Sequence, residues 1–106
     1  MTSSPASPSS SSARLNHLVM WKLKDPAQAT EFKRLLMSCS DLVPGMLTFD
    51  VGIREADLEA NVDVVLNAAF TDAAALQAYS SHPHHQSVVA QLGPLREARH
   101  VLDYWG

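Results

Sequence analysis

Three of the five histidines in this chain crowd into the run Tyr79-Ser80-Ser81-His82-Pro83-His84-His85. A fourth, His17, lies inside the apolar run His17-Leu18-Val19-Met20-Trp21-Lys22-Leu23. Imidazole has an ordinary pKa near neutrality, so a histidine in a partly apolar cavity is suited to moving protons. A phenol beside it supplies the complementary chemistry: the Tyr79 hydroxyl can hold a carbonyl oxygen as enolate charge builds on it. A helix opening at Pro83 has its apolar stripe at Val88, Val89 and Leu92, and stepping back along that stripe reaches His85. His84 falls off the stripe and His82 falls at the cap. Strand alternation puts His17 on one face with Val19 and Trp21.

The expected site is therefore His85, His17 and Tyr79, in a small-molecule pocket lined also by Trp21, Leu36, His82 and Val89. The competing reading makes His85 a core histidine bonded to backbone and Tyr79 a packing aromatic. His82 and His85, three apart on a helix, could reach one ion. No Cys or carboxylate lies close by in sequence to complete a tetrahedral set, so neither a metal nor another cofactor is expected. Asp25, Asp50, Asp63 and Asp103 read as solvated or capping residues. The lone Cys39 falls on the apolar stripe of a helix and reads as a small buried hydrophobe rather than a nucleophile.

The elements that must position these groups fit in one domain. The chain has 106 residues, and its first 14 form a Ser/Pro-rich tail expected to be disordered, because such a tract cannot bury enough surface to offset its ordering entropy. The tail has no basic start and no apolar run, so it does not read as a secretory signal, and the cytoplasm is the expected compartment. A net charge of -3 gives no electrostatic footprint for nucleic acid. No stretch approaches the ~20 apolar residues of a membrane span. With 46% hydrophobic and only 18% charged residues, some apolar surface is expected to be covered by a partner.

Leu15 to Lys24 reads as a strand with apolar residues on both faces. A helix opens at Asp25-Pro26 with the stripe Phe32, Leu35, Leu36, Cys39. Pro44-Gly45 breaks the pattern. Met46 to Arg54 alternates as a strand, with Leu47, Phe49, Val51 and Ile53 on one side. Val62 to Phe70 follows as its hairpin partner. Asp72 is an N-cap candidate for a helix over Ala73 to Tyr79. A further helix runs from Pro83 to about Leu92, and a last strand from about Ala98 to Trp105. The order β-α-β-β-α-α-β predicts an α+β, ferredoxin-like split βαβ sandwich with a four-stranded antiparallel sheet over residues 15–106. Leu18 and Met20 point to the sheet face that the helices leave free. A second copy of the chain is the simplest cover, giving a homodimer.

This order, with His17-Leu18-Val19-Met20-Trp21-Lys22-Leu23-Lys24, Val43-Pro44-Gly45, Phe49-Asp50-Val51-Gly52, Asp63-Val64-Val65-Leu66, Phe70 with Asp72, Tyr79, His82-Pro83-His84-His85 and Asp103-Tyr104, resembles the stress-responsive dimeric α/β-barrel (Dabb) family. The resemblance implies two ferredoxin-like subunits packed sheet to sheet into a barrel. One characterised type within that family comprises the plant polyketide cyclases that form olivetolic acid, closing a linear tetraketide by aldol chemistry without metal or cofactor. Their catalytic His and supporting Tyr fall on His85 and Tyr79, and their first-strand His on His17. A further pocket Tyr of those enzymes falls near Leu36, where this chain has none, which leaves the substrate open. The resemblance implies a cyclase-like or lyase-like activity on a small apolar or polyketide-like ligand. Its alternatives are a non-catalytic stress or assembly protein and a monooxygenase of the same barrel architecture.

Overall fold

The computed structural model describes residues 13–106, so the expected tail falls almost wholly outside it. Its strands are β1 (Leu15–Leu23), β2 (Met46–Ile53), β3 (Val64–Phe70) and β4 (Arg96–Trp105), and its helices α1 (Ala29–Met37), α2 (Ala73–Ser81) and α3 (Pro83–Leu92). Short 3₁₀ turns over Pro26–Gln28 and Gly93–Leu95 precede α1 and β4. The sheet order is β2-β3-β1-β4, every neighbouring pair antiparallel. Each helical crossover therefore links two parallel, non-adjacent strands, the arrangement of a ferredoxin-like sandwich.

Alternation along β1 decides which side the helices cover. Leu15, His17, Val19, Trp21 and Leu23 are buried, while Asn16, Leu18, Met20 and Lys22 are half-buried or exposed. The register carries this phase across the sheet, placing Leu66 and Ala68 of β3 beside Val19 and His17. Onto that face pack Phe32, Leu35 and Leu36 of α1, Tyr79 of α2, and Val88 and Leu92 of α3. Fully burying a large apolar side chain of this kind contributes ~1.5–3 kcal/mol.

The helix starts follow local chemistry. Asp25 Oδ1 accepts from the Ala27 N–H at 3.0 Å and Asp72 Oδ1 from the Ala75 N–H at 2.9 Å. At α3 the cap is His82, whose Nδ1 accepts from the His84 N–H at 3.0 Å, with Pro83 in the first helical position. Gly45 sits at φ +90°, and a Cβ there would meet Thr71 Oγ1 at 2.7 Å and the Ala75 Cβ at 2.8 Å. Its carbonyl accepts from the Thr71 N–H at 2.9 Å, so this glycine lets the chain pass close under the start of α2.

Several sequence expectations are corrected. The register slips between Met46 and Thr48, and Leu47 leaves the apolar face to stand 48% exposed. The second hairpin strand begins at Val64, not Val62, and the last strand at Arg96, not Ala98. Helix α1 ends at Met37, so Cys39 is buried from the turn that follows it. Asp63, read as solvated or capping, is buried and fully engaged. Its Oδ2 accepts from the Leu23 N–H at 2.8 Å, its Oδ1 faces Arg54 Nη1 at 3.6 Å, and its backbone N–H donates to the Trp21 carbonyl at 2.8 Å. It ties the end of β1 to the start of β3.

Candidate functional site

A cavity of about 330 Å³ lies between the sheet and the helices. Val19, Trp21 and Leu66 form its sheet wall, and Leu36, Val88 and Leu92 its helical wall. Into this apolar space come His17 from β1, Tyr79 from α2 and His85 from α3. The volume is at the small end of the ~300–1,000 Å³ usual for ligand pockets, and a few polar groups in apolar walls is their usual make-up. Val89 also lines the cavity although it is 45% exposed, so it stands at the mouth. His82 is not among the lining residues; the phase that turns His85 inward leaves His82 outside, serving α3 as its cap.

His85 is held by its own helix junction. Its Nδ1 lies 3.0 Å from the Ser80 carbonyl, which can only accept, so Nδ1 carries the hydrogen and Nε2 keeps its lone pair in the neutral ring. Burial, above all, pushes the His85 pKa below its ordinary value, and the neighbouring His17, Arg99 and His82 push the same way against the Ser80 bond. Near neutral pH the ring is thus a free base. Gln86 Nε2 donates to the same Ser80 carbonyl at 2.9 Å and helps fix the junction of α2 and α3. His84 faces away from the cavity: its Nε2 pairs with Ser38 Oγ at 2.8 Å, joining α3 to the end of α1.

Tyr79 packs 4.5 Å from His85, ring centre to ring centre, and 6.4 Å from His17. It is 1% exposed, and among the described residues no hydrogen bond reaches its hydroxyl. Burial, with Cys39 nearby as a lesser cause, pushes its pKa well up, so it is a donor and not a phenolate. The Cys39 thiol is likewise pushed up by burial, which leaves it no nucleophile.

His17 Nδ1 meets Asp103 Oδ1 at 2.5 Å. A carboxylate accepts, so His17 also carries a hydrogen on Nδ1, the orienting arrangement of a histidine–carboxylate pair, and its Nε2 has no hydrogen-bond partner among the described residues. Reading Asp103 as solvated or capping missed this pair. The signal was the alternation of β4, whose register sets Asp103 opposite His17. Two further lining residues, Arg96 and Arg99, were not anticipated. Among the described residues no helix is long and apolar enough to cross a membrane, and no three of His, Cys, Asp and Glu gather around one point.

Fold and site together define a ferredoxin-like α+β domain with an apolar cavity holding two oriented histidines and a buried tyrosine. The sequence matches the family described as Stress responsive A/B Barrel Domain over residues 15–105, and the chain belongs to that family. No curated protein matches it by sequence. Among solved structures it is similar to a dimeric ferredoxin-like protein of unknown function from Thermobifida fusca YX. That match has 19% identity and a TM-score of 0.77, covering 87% of this chain and 90% of that one. A dimeric ferredoxin-like protein of unknown function from Jannaschia sp. CCS1 is 28% identical, with a TM-score of 0.68 and coverage of 86% and 97%. The hydroxynitrile lyase of Passiflora edulis is 16% identical, with a TM-score of 0.73 and coverage of 88% and 93%.

Proposed function

We propose that this chain is a homodimeric, cofactor-independent enzyme that moves a proton at a carbon or oxygen next to a carbonyl, in a cyclase-like or lyase-like reaction. One observation carries the reading. A histidine with a free Nε2 packs ring to ring against a buried tyrosine whose hydroxyl has no hydrogen-bond partner among the described residues, and both line one cavity. A buried hydroxyl left without a hydrogen bond costs ~1–3 kcal/mol, a cost a ligand oxygen would remove. His85 takes the proton, the Tyr79 hydroxyl donates to the oxygen that gains charge, and His17, oriented by Asp103, returns or relays the proton. The name of the Passiflora neighbour supports a lyase on this fold, as a likeness of architecture.

The test needs no knowledge of the product. Wild-type protein should speed deuterium exchange at the acidic carbon of a small 1,3-diketone, followed by NMR, and His85→Ala should lose that rate by ~10²-fold while keeping its fold. Exchange at the buffer rate across a panel of such ketones, neutral and carboxylate-bearing, would end the proposal.

The dimer part of the reading rests on the open side of the sheet. Leu18 and Met20 of β1 share that face with Leu102 and Tyr104 of β4, which are 58% and 47% exposed. A second copy laid sheet to sheet would cover them, as the dimeric descriptions of the Thermobifida and Jannaschia proteins support. Sedimentation should find a dimer at micromolar concentration; a folded monomer there would refute it.

A further inference from the structure

Strand residues three apart point to opposite faces, so Arg96 and Arg99 should not share a cavity. They do, and a β-bulge is the reason. β1 pairs Lys22 with Ala98 but its next residue, Leu23, with Arg96, so Glu97 is an extra residue on β4. The slip returns Arg96 to the helix-facing side, opposite Leu23, while Arg99 stands there opposite Trp21. Both arginines line the cavity that holds His85 and Tyr79. The ion pairs among the described residues are His17–Asp103, Glu31–Arg34 and Arg54–Asp63, and neither Arg96 nor Arg99 takes part in one. Among the described residues no Asp or Glu lines this cavity, in a chain whose net charge is -3. Two uncompensated cations at one cavity of an acidic protein concentrate anions there.

We propose that the ligand of this cavity carries an anionic headgroup, held by Arg96 and Arg99 at the β4 side, with its apolar body against Trp21 and Leu36. This rests on the proposed function only for what the far end of the ligand does; the headgroup site stands on the bulge and the two arginines. Guanidinium forks bind carboxylate and phosphate oxygens alike, in charge-assisted hydrogen bonds stronger than neutral ones. The substrate class is then a small oxo acid or an oxo compound with a phosphate ester, rather than a neutral ketone. Anion binding beside Arg99 would also offset that residue's repulsion of a proton on His85 and so strengthen the base.

The test is an NMR titration of the full chain with phenylacetate, its neutral isostere phenylacetamide, and phenyl phosphate. Phenylacetate or phenyl phosphate should bind roughly tenfold or more tightly than the amide, and whichever anion binds tighter identifies the headgroup. The preference should shrink as salt rises. Arg96→Gln with Arg99→Gln should bring anion and amide level while the amide's own affinity holds. His85→Ala should keep the anion preference even though it abolishes carbon-proton exchange, so the two proposals fail separately. Equal binding of anions and amide by the wild type, or a preference that survives in the double variant, would overturn the headgroup site.

Discussion

At one end of β1, Asp63 is buried with each of its polar atoms answered: two backbone partners, the Leu23 N–H and the Arg54 guanidinium. At the same end, on the β4 side, Arg96 and Arg99 have no ion-pair partner among the described residues, and under the helices the buried Tyr79 hydroxyl has no hydrogen-bond partner among them either. Each region takes one polar group out of water, the Asp63 carboxylate in the first and the Tyr79 hydroxyl in the second. The first recovers the cost within the chain and so serves the fold. The second leaves it outstanding, which is where a structure keeps room for something that is not itself. His17 lies between the two conditions, with Nδ1 fixed by Asp103 and Nε2 without a hydrogen-bond partner among the described residues.

The comparison can be broken at its satisfied end first. Asp63→Ala should destabilise the protein by about 2–3 kcal/mol, because it strands the Leu23 N–H and opens a void between β1 and β3. Chemical denaturation measures this, and a loss under ~0.5 kcal/mol would mean that Asp63 is dispensable to the fold. Tyr79→Phe should do far less, shifting stability by under ~1 kcal/mol or raising it, since among the described residues its hydroxyl has no hydrogen bond to lose. A loss of 2 kcal/mol or more would show that the hydroxyl is satisfied within the protein after all.

The smallest effect is one of pH. The folded pKa of His85 lies below its ordinary value, so the unfolded chain binds the proton more readily. The contribution of neutral His85 is complete above the ordinary histidine value of ~6.5 and is lost as pH falls from there through the lower folded pKa. The difference in melting temperature between wild type and His85→Gln should therefore be constant at pH 7–8 and move against the wild type on acidification. A difference that stays flat down to pH 5 would count against a desolvated His85.

Much of this was legible from residue order. The two-sided apolar strand, the break at Pro44-Gly45, the Asp72 cap and the stripe through Val88 and Leu92 each follow from local rules, and they place His17, Tyr79 and His85 around one cavity. What escaped depends on register between segments far apart in sequence. Leu47 obeys strand alternation in the sequence, and a slip against β3 turns it out. Asp103 and Asp63 look like ordinary surface acids until β4 pairs with β1 and the chain closes over Leu23. Arg96 and Arg99 were hidden for the same reason, because their three-residue spacing argues against a shared face.

That bulge makes ligand choice a matter of strand register rather than side-chain identity. Drawing Glu97 into the ladder, so that β4 ran without the bulge, would leave the same arginines in the sequence and the same cavity walls, yet turn Arg96 toward the sheet's open side. Two chains of this architecture with the same arginines would then differ in whether the cavity reads an anion by the pairing of one residue of β4 against the end of β1 alone. Such a difference can arise from a shift in pairing, before any residue lining the cavity has changed.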